Sequence, residues 1–178
     1  MDKYKILTNQ GKAKYLAKLD EIGWFNNAQN KKTKIEKSIN EISNSEFLMF
    51  RLSHIGFDAE GFDDSEDYKR LINNIIKFPF CNQLSAEVNQ LDTTTISIKI
   101  KGGNNYELEI DTEESFGWFD FELIEFMNDI VFQNENIIER LFAVPPCDQT
   151  VDLVFISETL YELAIENGVF PDDMEYFM

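Results

Sequence analysis

The feature that most constrains the fold is a change of hydrophobic period between residues 65 and 111. One apolar stripe at helical spacing predicts an α-helix, which Asp63, Asp64 and Ser65 would cap at its start and Pro79 would end. This stripe consists of Tyr68, Leu71, Ile72, Ile75 and Ile76. Beyond residue 85 the period falls to two, the spacing of a half-buried strand. The chain must therefore combine a helix with a sheet.

A β-hairpin is predicted at residues 95–111, where two alternating stretches flank a Gly-Gly-Asn-Asn turn. Apolar residues must face apolar residues across the pair, so the paired residue numbers sum to an even value and the loop has an odd length. A sum of 208 would place Lys101 opposite Glu107 and Lys99 opposite Glu109, which gives opposite-charge pairs on the outer face. A preceding strand near residues 85–89 would complete three strands.

Helices are predicted on both sides of this sheet. In the N-terminal part, an amphipathic helix over 11–22 ends at Gly23, and a second basic helix carries Ile35, Ile39 and Ile42, which together make a helical hairpin. The apolar run 46–55 is assigned to a buried strand, although periodicity alone also permits a short helix.

In the C-terminal part, a helix is predicted to bury one face and to expose acids on the other. The predicted buried face is Phe119, Leu123, Phe126, Met127 and Ile130. A second short helix over 137–142 would be ended by Pro145-Pro146. A buried strand over 151–156 then precedes a final helix that begins at Ser157 and ends at Gly168.

Elements that are segregated rather than alternating indicate an α+β fold. We expect one globular domain over residues 1–178, with an N-terminal helical hairpin, an antiparallel sheet that includes the 95–111 hairpin, and C-terminal helices packed on one face. A chain of 178 residues is long enough to bury a core without disulfides or metals.

Residues with obvious catalytic or metal-binding chemistry are scarce. The only histidine, His54, lies in an apolar run, where a hydrogen-bonded core imidazole is the favoured interpretation. Cys81 and Cys147 have no CxxC spacing, and the acidic loop 56–64 lacks the ligand pattern of an EF-hand. We therefore expect no enzyme activity, no metal and no cofactor. The chain has no secretion signal and no apolar run of about 18 residues, which favours a cytoplasmic protein that does not enter membranes.

Charge is distributed unevenly along the chain. Residues 102–178 hold nineteen Asp and Glu against Arg140, a formal charge of −18, whereas residues 1–40 hold nine Lys against four acids. The lysines could form a solvated face, a nucleic-acid patch or a counter-charge for the acidic half. We favour the solvated face and expect no nucleic-acid binding, because no Arg interleaves the lysines.

The acidic half is the candidate binding surface. Two like charges four residues apart on a helix, such as Glu158 and Glu162, lower helix stability by about 0.2–0.5 kcal/mol. Binding of a basic partner would offset that cost. The candidate apolar anchors are the exposed members of the aromatic cluster at residues 116–121, Trp118 first. The candidate acids are Glu158, Glu162 and Glu166 on the last helix and Glu122, Glu125 and Asp129 on the preceding one. The alternative is that these acids only solvate their helices and that Trp118 belongs to the core.

In charge and size the chain is similar to bacterial immunity proteins, which neutralise toxins, although no motif carries the similarity. This analogy implies an inhibitor of a basic partner such as a toxin, acting as a monomer or weak dimer. An acidic mimic of nucleic acid that blocks a DNA- or RNA-binding protein is an alternative, as is a regulatory or scaffolding module.

Overall fold

The computed structural model describes residues 2–27, 29–147 and 149–171, and its architecture is α+β, as predicted. Its helices are α1 (Lys3–Asn9), α2 (Lys12–Glu21), α3 (Lys32–Glu41), α4 (Ser65–Ile76), α5 (an α-helical turn, Glu122–Glu125, that continues as a π-helix over Phe126–Phe132) and α6 (Glu158–Glu166). Three 3-10 segments cover Trp24–Asn26, Ser45–Leu52 and Pro79–Cys81.

The strands form two three-stranded antiparallel sheets. They are β1 (Ile55–Asp58), β2 (Ser85–Gln90), β3 (Thr95–Lys101), β4 (Asn105–Asp111), β5 (Glu139–Cys147) and β6 (Thr150–Ser157). The spatial orders are β1-β6-β5 and β2-β3-β4.

The chain divides into two compact units. Unit 1 comprises Met1–Gly56 and Phe142–Met178, and unit 2 comprises Phe57–Leu141. The expectation of a single domain over 1–178 stays a prediction. Over the described residues, no helix has both the length and the apolar character needed to span a bilayer.

Unit 1 packs its helices around large aromatic side chains. Tyr15, Trp24 and Phe170 are fully buried, and the Tyr15 hydroxyl donates to the carbonyl of Val169 over 2.9 Å. The predicted helices at 11–22 and around Ile35 are confirmed as α2 and α3, whereas α1 was not foreseen. Its short length and two exposed lysines leave little periodic signal.

The limits of α6 are those predicted. The Ser157 hydroxyl caps the helix by accepting from the amide of Leu160. At the other end Gly168 has a φ of 73°, and the Val169 amide donates to the Ala164 carbonyl over 2.7 Å. Together with the bond from Gly168 to Ile165, this is a Schellman motif.

In unit 2 the period change is confirmed. The Asp64 carboxylate caps α4 by accepting from the amides of Glu66 and Asp67. Four residues of the predicted apolar stripe, from Tyr68 to Ile75, are buried. Strand β2 lies beside β3, as the predicted third strand.

The register of the hairpin differs from the predicted one by two residues. The paired numbers sum to 206, so Lys99 faces Glu107 with their charged atoms 3.1 Å apart and Lys101 faces Asn105. The even sum and odd loop length are correct; the value of 208 is wrong. The cause is tertiary, because the Glu135 carboxylate accepts from the amides of Gly103 (2.8 Å) and Asn104 (3.1 Å) and so fixes a three-residue loop.

The strand predicted over 46–55 is wrong for most of its length. The 3-10 segment Ser45–Leu52 occupies it, and β1 begins only at Ile55. The Asn44 side chain accepts from the amide of Glu46 over 3.0 Å and so begins a helical turn. Leu48, Met49 and Leu52 are buried at the spacing of such a turn.

The short helix predicted over 137–142 is also wrong, because this stretch leads into β5. The Asn128 side chain binds both the amide and the carbonyl of Leu141 at 2.8 Å, as a neighbouring strand would. Residues Pro145 and Pro146 lie within β5, which is an edge strand, where a missing N–H is tolerated.

Ile130 is the one wrong member of the predicted buried face around α5. Phe119, Leu123, Phe126 and Met127 are buried, whereas Ile130 is exposed. The reason is the π-helix, which has more residues per turn than the α-helix that was assumed. The smaller rotation per residue brings Val131 and Phe132 to the buried face in place of Ile130.

Candidate partner-binding site

Three aromatic side chains project from the segment that joins β4 to α5, in unit 2. Phe116 is 88% exposed, Trp118 43% and Phe121 46%, whereas Phe119 between them is buried. We call residues 112–121 the aromatic loop. Exposed aromatic residues this close together are typical of binding anchors.

The backbone of the aromatic loop is held by hydrogen bonds to another segment of unit 2, residues 59–62. The Gly117 carbonyl accepts from the amides of Gly61 and Phe62, both over 2.9 Å, and the Phe119 amide donates to the Ala59 carbonyl over 2.8 Å. Gly117 has a φ of 75°, in the left-handed region that favours glycine, and a Cβ there would also crowd the Asp63 carboxylate. The loop is therefore fixed before any partner arrives.

A cluster of buried rings supports the loop from inside. The Phe119 ring meets Phe57 edge-on at 4.9 Å and Phe62 at 5.1 Å, and it contacts Tyr68 at 6.2 Å. Phe121 packs edge-on against Phe119 at 5.1 Å. Edge-to-face pairs add about 0.5–1.5 kcal/mol each beyond area burial, so Phe121 and the buried Phe119 are held firmly in place.

Acidic side chains surround the exposed rings in sequence and in space. Glu113 and Glu114 precede Phe116, Glu122 follows Phe121, and Asp63 lies against Gly117; all four are exposed. Glu60 forms a backbone bridge with Trp118. Unit 2 as a whole has nineteen acids against six basic residues, a formal charge of −13, against −4 for unit 1.

Among the described residues, the acids around the aromatic loop form no ion pair with a Lys or Arg side chain. Within the described part of the chain, the ion pairs of unit 2 join Lys69 to Glu66, Arg70 to Asp67 and Lys99 to Glu107. None of them includes an acid of the aromatic loop or of α5. This negative charge is therefore available to a partner.

The predicted site residues fall into two groups. Glu122, Glu125 and Asp129 are exposed on α5 and lie in unit 2 with Trp118. The other group is Glu158, Glu162 and Glu166, which are exposed on α6 in unit 1. Unit 1 also holds the lysine-rich helices, where Lys18, Lys32 and Lys37 pair with nearby acids.

Sequence reasoning included Phe116 and Phe121, as members of the aromatic cluster 116–121, among the candidate anchors, but it placed Trp118 first and missed Asp63. The structure exposes Phe116 more than Trp118. The position of Asp63 had no signal, because it results from the pairing of segments 60–62 and 117–119.

His54 lies in unit 1 and has the hydrogen-bonded environment that was predicted. The Phe155 amide donates to Nδ1 over 2.8 Å, so the proton of the neutral ring is on Nε2 and is donated to Asn30 Oδ1 over 2.6 Å. Burial, with a smaller contribution from Lys34, lowers the pKa of His54 to about 4. The imidazole is thus neutral and structurally engaged near pH 7.

The Cys81 thiol is buried and is held in its unreactive protonated form. Burial, followed by the charge of Glu139, raises the pKa of the Cys81 thiol to about 12, so the nucleophilic thiolate is disfavoured. No group of three or more potential metal ligands occurs among the described residues. A cleft in unit 2 of about 420 Å³ is lined by two basic and two acidic side chains, of which Lys99 and Glu107 pair with each other.

In comparisons with known proteins, the chain matches no family model, no curated protein and no solved structure.

Proposed function

We propose that the protein is a non-enzymatic acidic binding protein that neutralises a basic protein partner, such as a toxin, in the cytoplasm. The observation that carries this proposal is the unpaired acidic surface of unit 2, which surrounds exposed aromatic side chains on a fixed loop. A one-sign surface speeds encounter with an oppositely charged partner, and apolar anchors then slow dissociation.

Two further observations support a binding rather than a catalytic role. His54 is engaged through both ring nitrogens, and Cys81 is buried with a raised pKa. We propose that Glu122, Glu125, Asp129 and Trp118 contact the partner, with Glu158, Glu162 and Glu166 forming a second acidic face on α6. The protein acts as a monomer or weak dimer and binds neither nucleic acid nor membrane.

The test is affinity purification from the cells that naturally produce the protein. Three baits are compared: the unchanged chain, a variant with Glu122, Glu125 and Asp129 changed to Lys, and a matched variant with Glu158, Glu162 and Glu166 changed to Lys. We expect a basic protein that the unchanged chain retains and the α5 variant loses. Retention of the same proteins by all three baits would contradict the proposal.

The identity of the retained protein separates the alternatives. A toxin whose activity the protein abolishes supports the immunity function. A DNA- or RNA-binding enzyme displaced by competing nucleic acid supports mimicry of the phosphate backbone. A partner without basic character supports the regulatory or scaffolding alternative.

A further inference from the structure

We infer that Phe116 is the anchor of the interface and inserts into an apolar recess that Lys and Arg residues of the partner surround. This inference rests on the proposed function and adds which residue carries the affinity and which chemistry it meets.

Phe116 combines a strained backbone conformation with an exposed aromatic ring, and both are unfavourable in free energy. Its φ is 53°, in the left-handed region that bulky residues rarely enter. Its side chain is 88% exposed, so the packing of unit 2 compensates neither the backbone strain nor the exposed ring. Strain of this kind collects at binding and catalytic sites, because it is retained where function requires the geometry.

The conformation of the loop directs the ring outward. The amides of Phe116 and Trp118 donate to the carbonyls of Glu113 and Ser115, and the Gly117 amide donates to the Thr112 carbonyl. A side chain presented on a fixed backbone loses little conformational entropy on binding. Trp118 and Phe121 lie within five residues of it and are half exposed, so they can flank the anchor.

The charge around Phe116 indicates which kind of protein surface would bind it. Glu113, Glu114 and Glu122 lie close in sequence to the anchor, and residues 102–139 contain no Lys or Arg. A second copy of this chain would bring the same negative charge to the contact. A basic protein surface with an apolar recess is complementary both to the ring and to the acids that surround it.

The experiment uses the full chain and a synthetic amphipathic helical peptide with Lys on one face and Leu on the other. A second peptide keeps each Lys and has Ser in place of each Leu. Affinities are measured by calorimetry for the unchanged protein, Phe116→Ser, Phe116→Leu and Ile138→Ser. Ile138 is the matched control, because it is 76% exposed and follows the C-terminal end of α5, where the Ile137 amide binds the Phe132 carbonyl.

We expect the Lys/Leu peptide to bind about tenfold more weakly to Phe116→Ser, and to bind Phe116→Leu and Ile138→Ser nearly as well as the unchanged protein. Tryptophan emission should shift to shorter wavelength on binding and report Trp118, because Trp24 is already fully buried.

Two outcomes distinguish failure of Phe116 as the anchor from failure of the proposed function. If the peptides bind but Phe116→Ser and Ile138→Ser have equal affinities, Phe116 is not the anchor, while an acidic binding surface stands. If neither basic peptide binds even at low ionic strength, the proposed function fails and the anchor fails with it.

Discussion

His54, in unit 1, is hydrogen-bonded through both ring nitrogens. Its ring accepts from one backbone amide and donates to Asn30, whose own side-chain nitrogen donates to the Trp24 carbonyl over 2.8 Å. A proton added to Nδ1 would face the N–H of Phe155. The histidine therefore joins a loop, a strand and a 3-10 turn only while it is neutral.

We predict that this residue makes folding stability depend on pH. Its pKa is about 4 in the folded chain against 6.5 ordinarily, so between these values the unfolded chain binds a proton that the folded chain does not. Stability is lost as the pH falls through this window, by about 2 kcal/mol between pH 7 and pH 5. Urea denaturation at both pH values measures the loss. His54→Gln should reduce the loss, and an equal loss in that variant would contradict the prediction.

The strain at Phe116 gives a second residue-scale prediction. Phe116→Gly should leave the free energy of unfolding unchanged or raise it by up to about 1 kcal/mol, because relief of the left-handed conformation offsets the added freedom of the unfolded chain. Phe119→Ala, which truncates a buried ring, should cost about 3–5 kcal/mol. Chemical denaturation compares them, and a large loss for Phe116→Gly would show that its ring supports the fold.

At the scale of elements, sequence patterns correctly predicted the features that depend on residues close together in sequence. The stripe of α4, the alternation of β3 and β4 and the Ser157 cap were readable, because each depends on neighbours in sequence. The hairpin register, the π-helix in α5 and the start of β5 were not. The register depends on the contact of Glu135 with Gly103 and the start of β5 on that of Asn128 with Leu141, both distant in sequence, and no local pattern indicates the π-helix.

The candidate site was predictable to the same extent. The acids of α5 and α6 and Trp118 were identified by type and spacing, and the structure places all of them at the surface. Their division between two units and the position of Asp63 could not be foreseen, since they follow from tertiary pairing.

A substitution of Glu135 tests whether this residue fixes the loop between β3 and β4. Its carboxylate accepts from the Tyr106 hydroxyl and from two amides of the β3–β4 loop, and these bonds lower its pKa. Glu135→Ala should lower the free energy of unfolding by about 1–2 kcal/mol, because three donors lose a charged acceptor and turn to water. Glu109→Ala, an exposed acid on β4, should change it by less than about 0.5 kcal/mol. Equal losses in denaturation would show that the loop is fixed without Glu135.

At the scale of the whole molecule, charge follows the units rather than the halves of the sequence. Unit 2 has a formal charge of −13, and unit 1 has −4 because its lysines balance most of its acids. Three of those lysines pair with acids on their own helices or a neighbouring helix. The interface proposed for this protein is accordingly centred on unit 2.

The most direct test of this account is the association rate of the protein with the partner recovered from its native cells, measured by stopped-flow fluorescence at low and at physiological ionic strength. We predict that the rate falls about tenfold or more as salt rises, and that changing Glu122, Glu125 and Asp129 to Lys lowers it further at low salt, because steering by unit 2 is lost. An association rate indifferent both to salt and to this charge reversal would contradict the claim that the acidic surface of unit 2 receives a basic partner.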